Sequence, residues 1–290
     1  MKHALACIVV VLALPMLAKE KTVAFHYGPA LTPRQLEFFA DYEVLITHDP
    51  LPRAQVTALR KRGVQLAIYE WSVAYYRTLA MPWHRRAPVL NAKPLRGGVG
   101  ANDADAFYYD PAAPGFASSR ARNLAARLRA IGYEGVFFDT TTAQSVHPEA
   151  REEYRRRHPD LPYDAAFSRF LAALRKELPD GVIVTNQGYR AAEFYLPHAD
   201  FDITESLFTA PSGAKFFLRS RKEIDDLMNA WILPAARRYP HVRYVHLNYV
   251  DEPDPTLIDA IVSIAREYGH QAYVALPDVT RTAMMPHAVP

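Results

Sequence analysis

The sequence has few features that could cross-link the chain or hold it in a membrane. It contains one cysteine, Cys7, which excludes a framework of disulfide bonds. Residues 4 to 18 are uncharged, but this run is shorter than the ~20 apolar residues of a membrane-spanning helix. Lys2 precedes the run and Ala18 ends it. This order predicts a signal peptide over residues 1–18 and a secreted or periplasmic domain over residues 19–290; a buried N-terminal strand is the alternative.

Cleavage after Ala18 would remove Cys7 and the apolar run, so we expect no stable membrane insertion of the mature chain. The balance of 34 Lys and Arg against 31 Asp and Glu gives a net charge of +3. No long basic run is present, and the stretch REEYRRRH mixes both signs of charge. The sequence therefore predicts no nucleic-acid partner.

Several catalytic motifs are also missing. No Gly-x-Ser-x-Gly element is present for acyl transfer, and no His-x-His or His-Glu-x-x-His spacing is present for a metal. We therefore predict neither a metal nor an organic cofactor. A metal-dependent hydrolase that uses His26, His48 and His246 remains a weaker alternative.

Short apolar runs alternate with helical patterns along the whole chain. Half of the residues are hydrophobic and 22% are charged, as expected for a globular protein. Helix signals separate the runs: Thr32 with Gln35 and Ser220 with Glu223 fit capping boxes, and Pro255 follows a capping Asp254. The eight predicted strands cover residues 22–28, 43–49, 64–71, 134–140, 181–188, 201–206, 242–250 and 270–278. Eight such units predict an α/β fold, a single-domain (β/α)₈ TIM barrel.

Two predicted connections are much longer than a simple link. Residues 73–116 follow the third strand and are rich in aromatic side chains, and residues 141–161 follow the fourth. Both begin at the carboxyl ends of strands, where barrels of this kind build their binding sites. The aromatic residues of the first loop include Tyr75, Tyr76, Trp83, Phe107, Tyr108 and Tyr109.

Polar residues collect at the predicted strand ends. Two of them, Asp139 and Glu205, are carboxylates, and glycosidic cleavage needs a proton donor together with a nucleophile or base. Asp49 is also consistent with a helix cap before Pro50, and Glu70 with an ion pair to an arginine. We expect six other strand-end residues to bind substrate. They are Tyr27, Asp49, Glu70, Asn186, Asn248 and Tyr249.

Ordered segments of the chain resemble the glycoside hydrolase family 114 barrels, the endo-α-1,4-polygalactosaminidases. The segments include VAFHYGPALTPRQLEFFADYEVLITHD, ARLRAIGYEGVFFDT, IVTNQGYR, ITESLF and LNYV. The hydrolase domain of Pel exopolysaccharide proteins is similar over about residues 21–278. The resemblance implies that Asp139 is the nucleophile and Glu205 the acid/base of a retaining enzyme. It also implies a polysaccharide substrate and an association with exopolysaccharide machinery.

The chain departs from the family pattern at several acidic positions. Thr140, Thr141 and Thr142 follow Asp139, and Asn248 precedes Tyr249, where the resembling enzymes often have acids. Neutral groups suit hydroxyl or N-acetyl substituents, so we expect a preference for a neutral or partly acetylated α-linked polymer. A non-catalytic glycan-binding barrel, or an accessory protein of exopolysaccharide export, is the alternative function.

Overall fold

A computed structural model describes residues 21–76, 82, 84–95, 106–139, 141–212 and 215–276. The predicted signal peptide, Cys7, Trp83 and Thr140 lie outside the described residues. Among the helices that are described, none is long and apolar enough to cross a bilayer.

Eight parallel strands form the barrel, and the eight predicted strands are confirmed. Their order in the sheet follows their order in the chain, and each pairs with its neighbours. Side-chain hydrogen bonds join the last strand to the first: the Thr22 amide donates to Gln271, and the Tyr273 hydroxyl donates to the Phe25 carbonyl, both over 3.0 Å. The strands are β1 Lys21–His26, β2 Tyr42–Thr47, β3 Gln65–Trp71, β6 Gly135–Asp139, β7 Val182–Asn186, β8 Phe201–Glu205, β11 Arg243–Tyr249 and β12 Gln271–Ala275.

Helices fill the connections between strands, as the capping signals predict. Thr32 and Ser220 each form a complete capping box, and Asp254 accepts from two amides of the last helix. The α-helices are α1 Pro33–Phe39, α2 Arg53–Lys61, α3 Phe116–Ile131, α4 Pro148–Arg157, α5 Tyr163–Glu177, α6 Ala192–Tyr195, α7 Arg221–Leu227, α8 Leu233–Arg238 and α9 Pro255–Glu267. Short 3₁₀ turns cover His84–Arg86, Ala143–Ser145, Gly188–Ala191 and Leu196–His198, and a π-helix covers Met228–Ile232.

Strand β6 shows why its sequence is apolar on both faces. Phe137 points into the barrel, where its ring lies 5.6 Å from Phe25, and Phe138 points outward onto Phe170 of α5, 5.5 Å away. All four side chains are buried, and burying one phenylalanine contributes about 1.5–3 kcal/mol. The run Gly-Val-Phe-Phe therefore builds the core on both sides of the sheet and brings Asp139 to its carboxyl end.

Two hairpins lie beside the carboxyl ends of the barrel strands. β4 Ala74–Tyr76 pairs with β5 Ala106–Tyr108 inside the long aromatic connection, and the Trp71 ring packs 4.8 Å from Tyr76. β9 Thr209–Ser212 pairs with β10 Lys215–Leu218 shortly after β8. Neither hairpin was predicted, because their strands are only three or four residues long and β9 contains Pro211.

Candidate active site

Asp139 and Glu205 meet at the carboxyl end of the barrel through one shared hydrogen-bond donor. The side-chain Nδ2 of Asn186 donates to Asp139 Oδ1 over 2.7 Å and to Glu205 Oε2 over 3.1 Å. The three residues end β6, β7 and β8, which are consecutive strands of the sheet. Neighbouring parallel strands therefore place two carboxylates on either side of one amide.

A tyrosine hydroxyl donates to the second oxygen of each carboxylate. Tyr69 of β3 donates to Asp139 Oδ2, and Tyr249 of β11 donates to Glu205 Oε1 over 2.6 Å. Burial raises the pKa of both phenols far above the usual value, and the nearby carboxylate charges raise it further. Both tyrosines consequently stay protonated and act as hydrogen-bond donors.

Tyr27 lies against the same group of residues. Its ring centre is 5.6 Å from Tyr69, and burial raises its pKa well above the usual value, with a further contribution from the charges of Asp139 and Glu205. The structure therefore brings together four of the expected substrate-binding or catalytic positions around Asn186: Tyr27, Asp139, Glu205 and Tyr249. The sequence analysis did not name Tyr69 as a site residue. It could have been found from the alternation of side chains along β3, because Tyr69 directly precedes Glu70 and so faces the other side of the sheet.

The structure places Glu70, which was expected to bind substrate, in a cluster of ion pairs. Glu70 is one residue from Tyr69, so its side chain points to the opposite face of β3, away from the carboxylate pair. There it is buried and contacts Arg127 of α3 at 2.8 Å and His84 at 3.3 Å. Burial alone would raise the pKa of Glu70, but the His84 hydrogen bond and the two arginine charges lower it on balance. The alternative of an arginine ion pair is the one observed.

Asn248 also faces away from the pair, because it is one residue from Tyr249. It is fully buried, and its Oδ1 accepts from the backbone amides of Phe208 and Thr209 at 2.9 and 3.0 Å. Its side chain thus holds the chain between Glu205 and β9 instead of reaching a ligand. The structure therefore places Asn248 away from the carboxylate pair, and its neutral side chain gives no information about the charge of the sugar.

Asp49 lies at the rim, beyond the end of β2. Its side chain is 59% exposed, and α2 starts at Arg53 without a side-chain cap, so the helix-cap alternative is not observed. Asp49 lines a cavity of about 190 Å³ together with His48 and Tyr69, and Glu70 lines the same cavity. This cavity adjoins the carboxylate pair through Tyr69, so Asp49 keeps its proposed role in binding substrate.

The backbone is left-handed immediately after two of the site residues. Gln187 follows Asn186 with φ 58°, and Ser206 follows Glu205 with φ 55°. Residues other than glycine rarely adopt this left-handed backbone conformation, and each instance costs about 1–3 kcal/mol. Asp202 supports the first turn: its carboxylate accepts from the amides of Gly188 and Tyr189 at 2.8 and 3.0 Å.

Gly188 is required at this turn, because a Cβ there would lie 3.0 Å from Asp202 and 2.7 Å from Thr185 Oγ1. Burial raises the pKa of Asp202 to about 7, although the Thr185 hydroxyl and the two amides favour the charged form. Asp202 is a positioning residue that pattern reasoning missed, since nothing in the sequence distinguishes it from a surface aspartate.

A second set of contacts holds Asp139 from outside the barrel. The Ser72 hydroxyl donates to the Asp139 carbonyl over 2.6 Å, and the buried Arg120 guanidinium donates to the carbonyls of Ser72 and Trp71 at 2.6 and 2.8 Å. Arg120 belongs to α3, so the helix fixes the turn that follows β3. This contact spans residues far apart in sequence and has no local signal.

The histidines of the metal-dependent alternative do not converge. His26 packs on Phe39 of α1, His48 lies between Tyr27 and Tyr69, and His246 contacts His270 at 3.0 Å on the outer face of β11. Within the described part of the chain, no group of three histidine, cysteine, aspartate or glutamate side chains is arranged to hold a metal ion.

No protein-family profile matches the sequence, and no curated protein matches it. Several solved structures are similar to this chain. The glycoside hydrolase domain of PelA from Pseudomonas aeruginosa superposes with a TM-score of 0.64 at 23% identity, over 89% of this chain and 96% of that one. Ega3 of Aspergillus fumigatus, solved in complex with galactosamine, gives a TM-score of 0.57 at 10% identity over 90% and 93%.

A third similar structure is the α-galactosidase TtGalA from Thermus thermophilus with p-nitrophenyl α-D-galactopyranoside. It gives a TM-score of 0.52 at 14% identity over 87% of this chain and 57% of that one. At these identities the similarity concerns the fold. The resemblance to the family 114 barrels is confirmed at that level: the chain has the (β/α)₈ fold of the PelA hydrolase domain and of Ega3.

Proposed function

We propose that the protein is a glycoside hydrolase that cleaves an α-linked amino-sugar polysaccharide with Asp139 as nucleophile and Glu205 as acid/base. The single observation that supports this most directly is the shared donor. Since one nitrogen of Asn186 bonds to both carboxylates at 2.7 and 3.1 Å, the two accepting oxygens are at most about 5.8 Å apart, the sum of the two bonds.

An upper limit of about 5.8 Å for these two oxygens agrees with retention of configuration. Retaining glycosidases hold their carboxyl groups about 5 to 5.5 Å apart, and inverting enzymes hold them about 6.5 to 9.5 Å apart to make room for a water molecule. In a retaining reaction the Asp139 oxygen attacks the anomeric carbon while Glu205 protonates the leaving oxygen. Glu205 then removes a proton from the water that hydrolyses the glycosyl-Asp139 ester.

The surrounding hydrogen-bond donors support these two roles, nucleophile for Asp139 and acid/base for Glu205. Tyr69 and Asn186 each donate to one oxygen of Asp139, and Tyr249 and Asn186 do the same for Glu205. Two fixed hydrogen bonds restrict the rotation of each carboxylate, so that neither has to reorient when the sugar arrives. The negative charge passes between Asp139 and Glu205 during the reaction, and the Asn186 amide is hydrogen-bonded to both.

The proposed substrate is an exopolysaccharide that contains hexosamine, and the proposed location is outside the cytoplasm, in the periplasm or secreted. Ega3 binds galactosamine, and the PelA domain is a glycoside hydrolase, which supports this class of substrate by analogy. Asp49 is the exposed carboxylate beside the adjoining cavity and is able to pair with an ammonium group. Because Asn248 is buried away from the carboxylate pair, its neutral side chain does not favour a neutral polymer. An association with exopolysaccharide machinery is part of the same proposal.

The test compares Asp139→Asn and Glu205→Gln with the wild type on fully and partly deacetylated polygalactosamine. Each variant should lose at least roughly 10³-fold in kcat, because removing one member of a pair disables the reaction. Asp180→Asn is the matched control, since Asp180 is exposed and precedes β7 at the other end of the barrel. Near-normal turnover by either site variant would overturn the assignment. Polymer binding by the wild type without turnover would favour a non-catalytic glycan-binding barrel.

Retention is tested separately by following the anomer that is released first, using proton NMR on a short oligosaccharide. We expect the α-anomer to accumulate before mutarotation. Early β-anomer would contradict the double-displacement mechanism while leaving the glycosidase assignment intact.

A further inference from the structure

One face of the β9–β10 hairpin lies against the barrel beside Glu205, the residue that ends β8. The Thr209 hydroxyl accepts from the backbone amide of Tyr249 over 3.3 Å, so the start of β9 is joined to the end of β11. Leu218, the cross-strand partner of Thr209, packs on the hydrophobic core. Residues that share this face therefore point toward the carboxyl end of the barrel.

Phe216 and Pro211 lie side by side farther along the same face, because they are cross-strand partners two positions from Leu218 and Thr209. The centre of the Phe216 ring is 5.7 Å from that of Tyr249. Phe216 is nevertheless partly exposed, and Pro211 is exposed. The two side chains thus offer an apolar surface that begins at a tyrosine of the candidate active site.

The backbone holds this surface in a fixed position. The amide of Phe216 donates to Oδ2 of Asp251, just after β11, over 2.9 Å. Phe217, the next residue, points to the opposite face of the hairpin, where its side chain is 46% exposed. A surface that is already ordered loses little conformational entropy when a ligand binds.

The contacts of Phe216 place it on the Glu205 side of the carboxylate pair. Its neighbour Tyr249 donates to Glu205 Oε1 over 2.6 Å. Glu205 protonates the leaving oxygen in the proposed reaction, so the sugar that departs first lies on this side. Sugar rings have an apolar face of C–H groups, and such faces pack well on aromatic rings in binding sites.

We propose that Phe216, with Pro211 beside it, binds the sugar on the leaving-group side of the bond that is cleaved. The occupant is one hexosamine unit of the polymer, with its apolar face on the phenyl ring. This inference rests on the proposed glycosidase function and deepens it, because it assigns a residue that selects the leaving group. The protein should therefore prefer a sugar as leaving group to a small ion.

The test compares Phe216→Leu with the wild type on two substrates. Leucine keeps an apolar contact with Tyr249 but has no flat ring. We expect kcat/KM to fall roughly tenfold on an α-1,4-galactosamine oligosaccharide and to change less than about twofold on α-galactosaminyl fluoride, which has no leaving sugar. Phe216→Tyr should restore the activity on the oligosaccharide. Equal losses on both substrates would show that Phe216 acts only by supporting Tyr249 and would overturn the proposal.

The matched control is Phe217→Leu, the same change on the other face of the hairpin, which should keep both activities. A loss on the oligosaccharide equal to that of Phe216→Leu would overturn the assignment to Phe216.

A binding measurement separates this proposal from the glycosidase assignment. Calorimetry follows the same oligosaccharide binding to Asp139→Asn, with and without Phe216→Leu. Binding that Phe216→Leu weakens roughly tenfold supports the sugar contact, and if the wild type shows no turnover it removes only the glycosidase assignment. Absent binding, or an affinity unchanged by Phe216→Leu, would overturn the proposal, whereas turnover by the wild type would still support the proposed function.

Discussion

The side-chain amide nitrogen of Asn186 lies 2.7 Å from Oδ1 of Asp139. The same nitrogen has its second hydrogen directed at Glu205, so one amide sets the spacing of both carboxylates. Asn186 is buried between them, and rotation of its side chain would replace a donor with an oxygen that repels both. Asn186 therefore holds the pair in place, and its role in binding substrate stays a prediction.

Replacing this donor should therefore affect the chemical step. We expect Asn186→Asp to lower kcat by roughly 10²-fold to 10³-fold, because a negative or acidic group would replace the donor between two carboxylates. KM should change much less. Steady-state kinetics will show this, with Asn229→Asp on the exposed surface as the matched control. A fall confined to KM would assign Asn186 to substrate binding alone.

Tyr249 and Tyr69 should contribute through their hydroxyl groups. Tyr249→Phe and Tyr69→Phe each remove one donor to a carboxylate while keeping the ring, and a hydrogen bond to a charged group contributes about 1.5–3 kcal/mol. We expect a roughly tenfold to hundredfold loss of kcat in each case. Tyr239→Phe, at the partly buried C-cap of α8, should be unchanged. If both ring-preserving variants keep full activity, the two hydroxyls have no catalytic function.

Arg120 should be important for stability. Its guanidinium lies over the rings of Tyr109 and Phe170 at 4.3 and 4.6 Å and within 3.9 Å of buried Glu70. Arg120→Met would leave the carbonyls of Ser72 and Trp71 without a donor and remove part of the charge that balances Glu70. We expect a loss of about 3 kcal/mol in the free energy of unfolding, measured with urea.

The control for Arg120 is Arg169→Met on the exposed face of α5, which should change the unfolding free energy by less than about 0.5 kcal/mol. Equal stability of the two variants would contradict the role of Arg120 in holding α3 to the end of β3.

The raised pKa of Asp202 predicts a specific dependence of the free energy of unfolding on pH. Its pKa of about 7 in the folded protein exceeds its unfolded value near 3.9, so the folded state binds the extra proton. The resulting stabilisation is complete below pH 4 and is lost as the pH rises through 7. The difference in unfolding free energy between the two limits is on the order of 4 kcal/mol.

The measurement compares the wild type with Asp202→Asn, which keeps the Oδ1 acceptor for Gly188 and cannot titrate. We expect the difference in unfolding free energy between the two proteins to change steadily from pH 4 to 7. A difference that stays constant over this range would show that Asp202 is ionised in the fold, held so by its three donors.

Much of the fold could be predicted from the sequence because its determinants are local. The apolar run of β6, the capping boxes at Thr32 and Ser220 and the glycine that ends α3 each depend on a few neighbouring residues. Eight such units in one chain leave few topologies other than a barrel. The same local pattern placed Asp139 and Glu205 at the ends of their strands.

The contacts among strand-end residues depended on the tertiary structure. A strand presents alternate side chains to opposite faces, and a shift of one position decides whether a residue enters the barrel. Tyr69 and Tyr249 point inward to the carboxylates, while Glu70 and Asn248, one position away, bond to α3 and to the chain before β9. Sequence reasoning identified the ends of the strands, but only the packing of the barrel against its helices decided which side chains meet there.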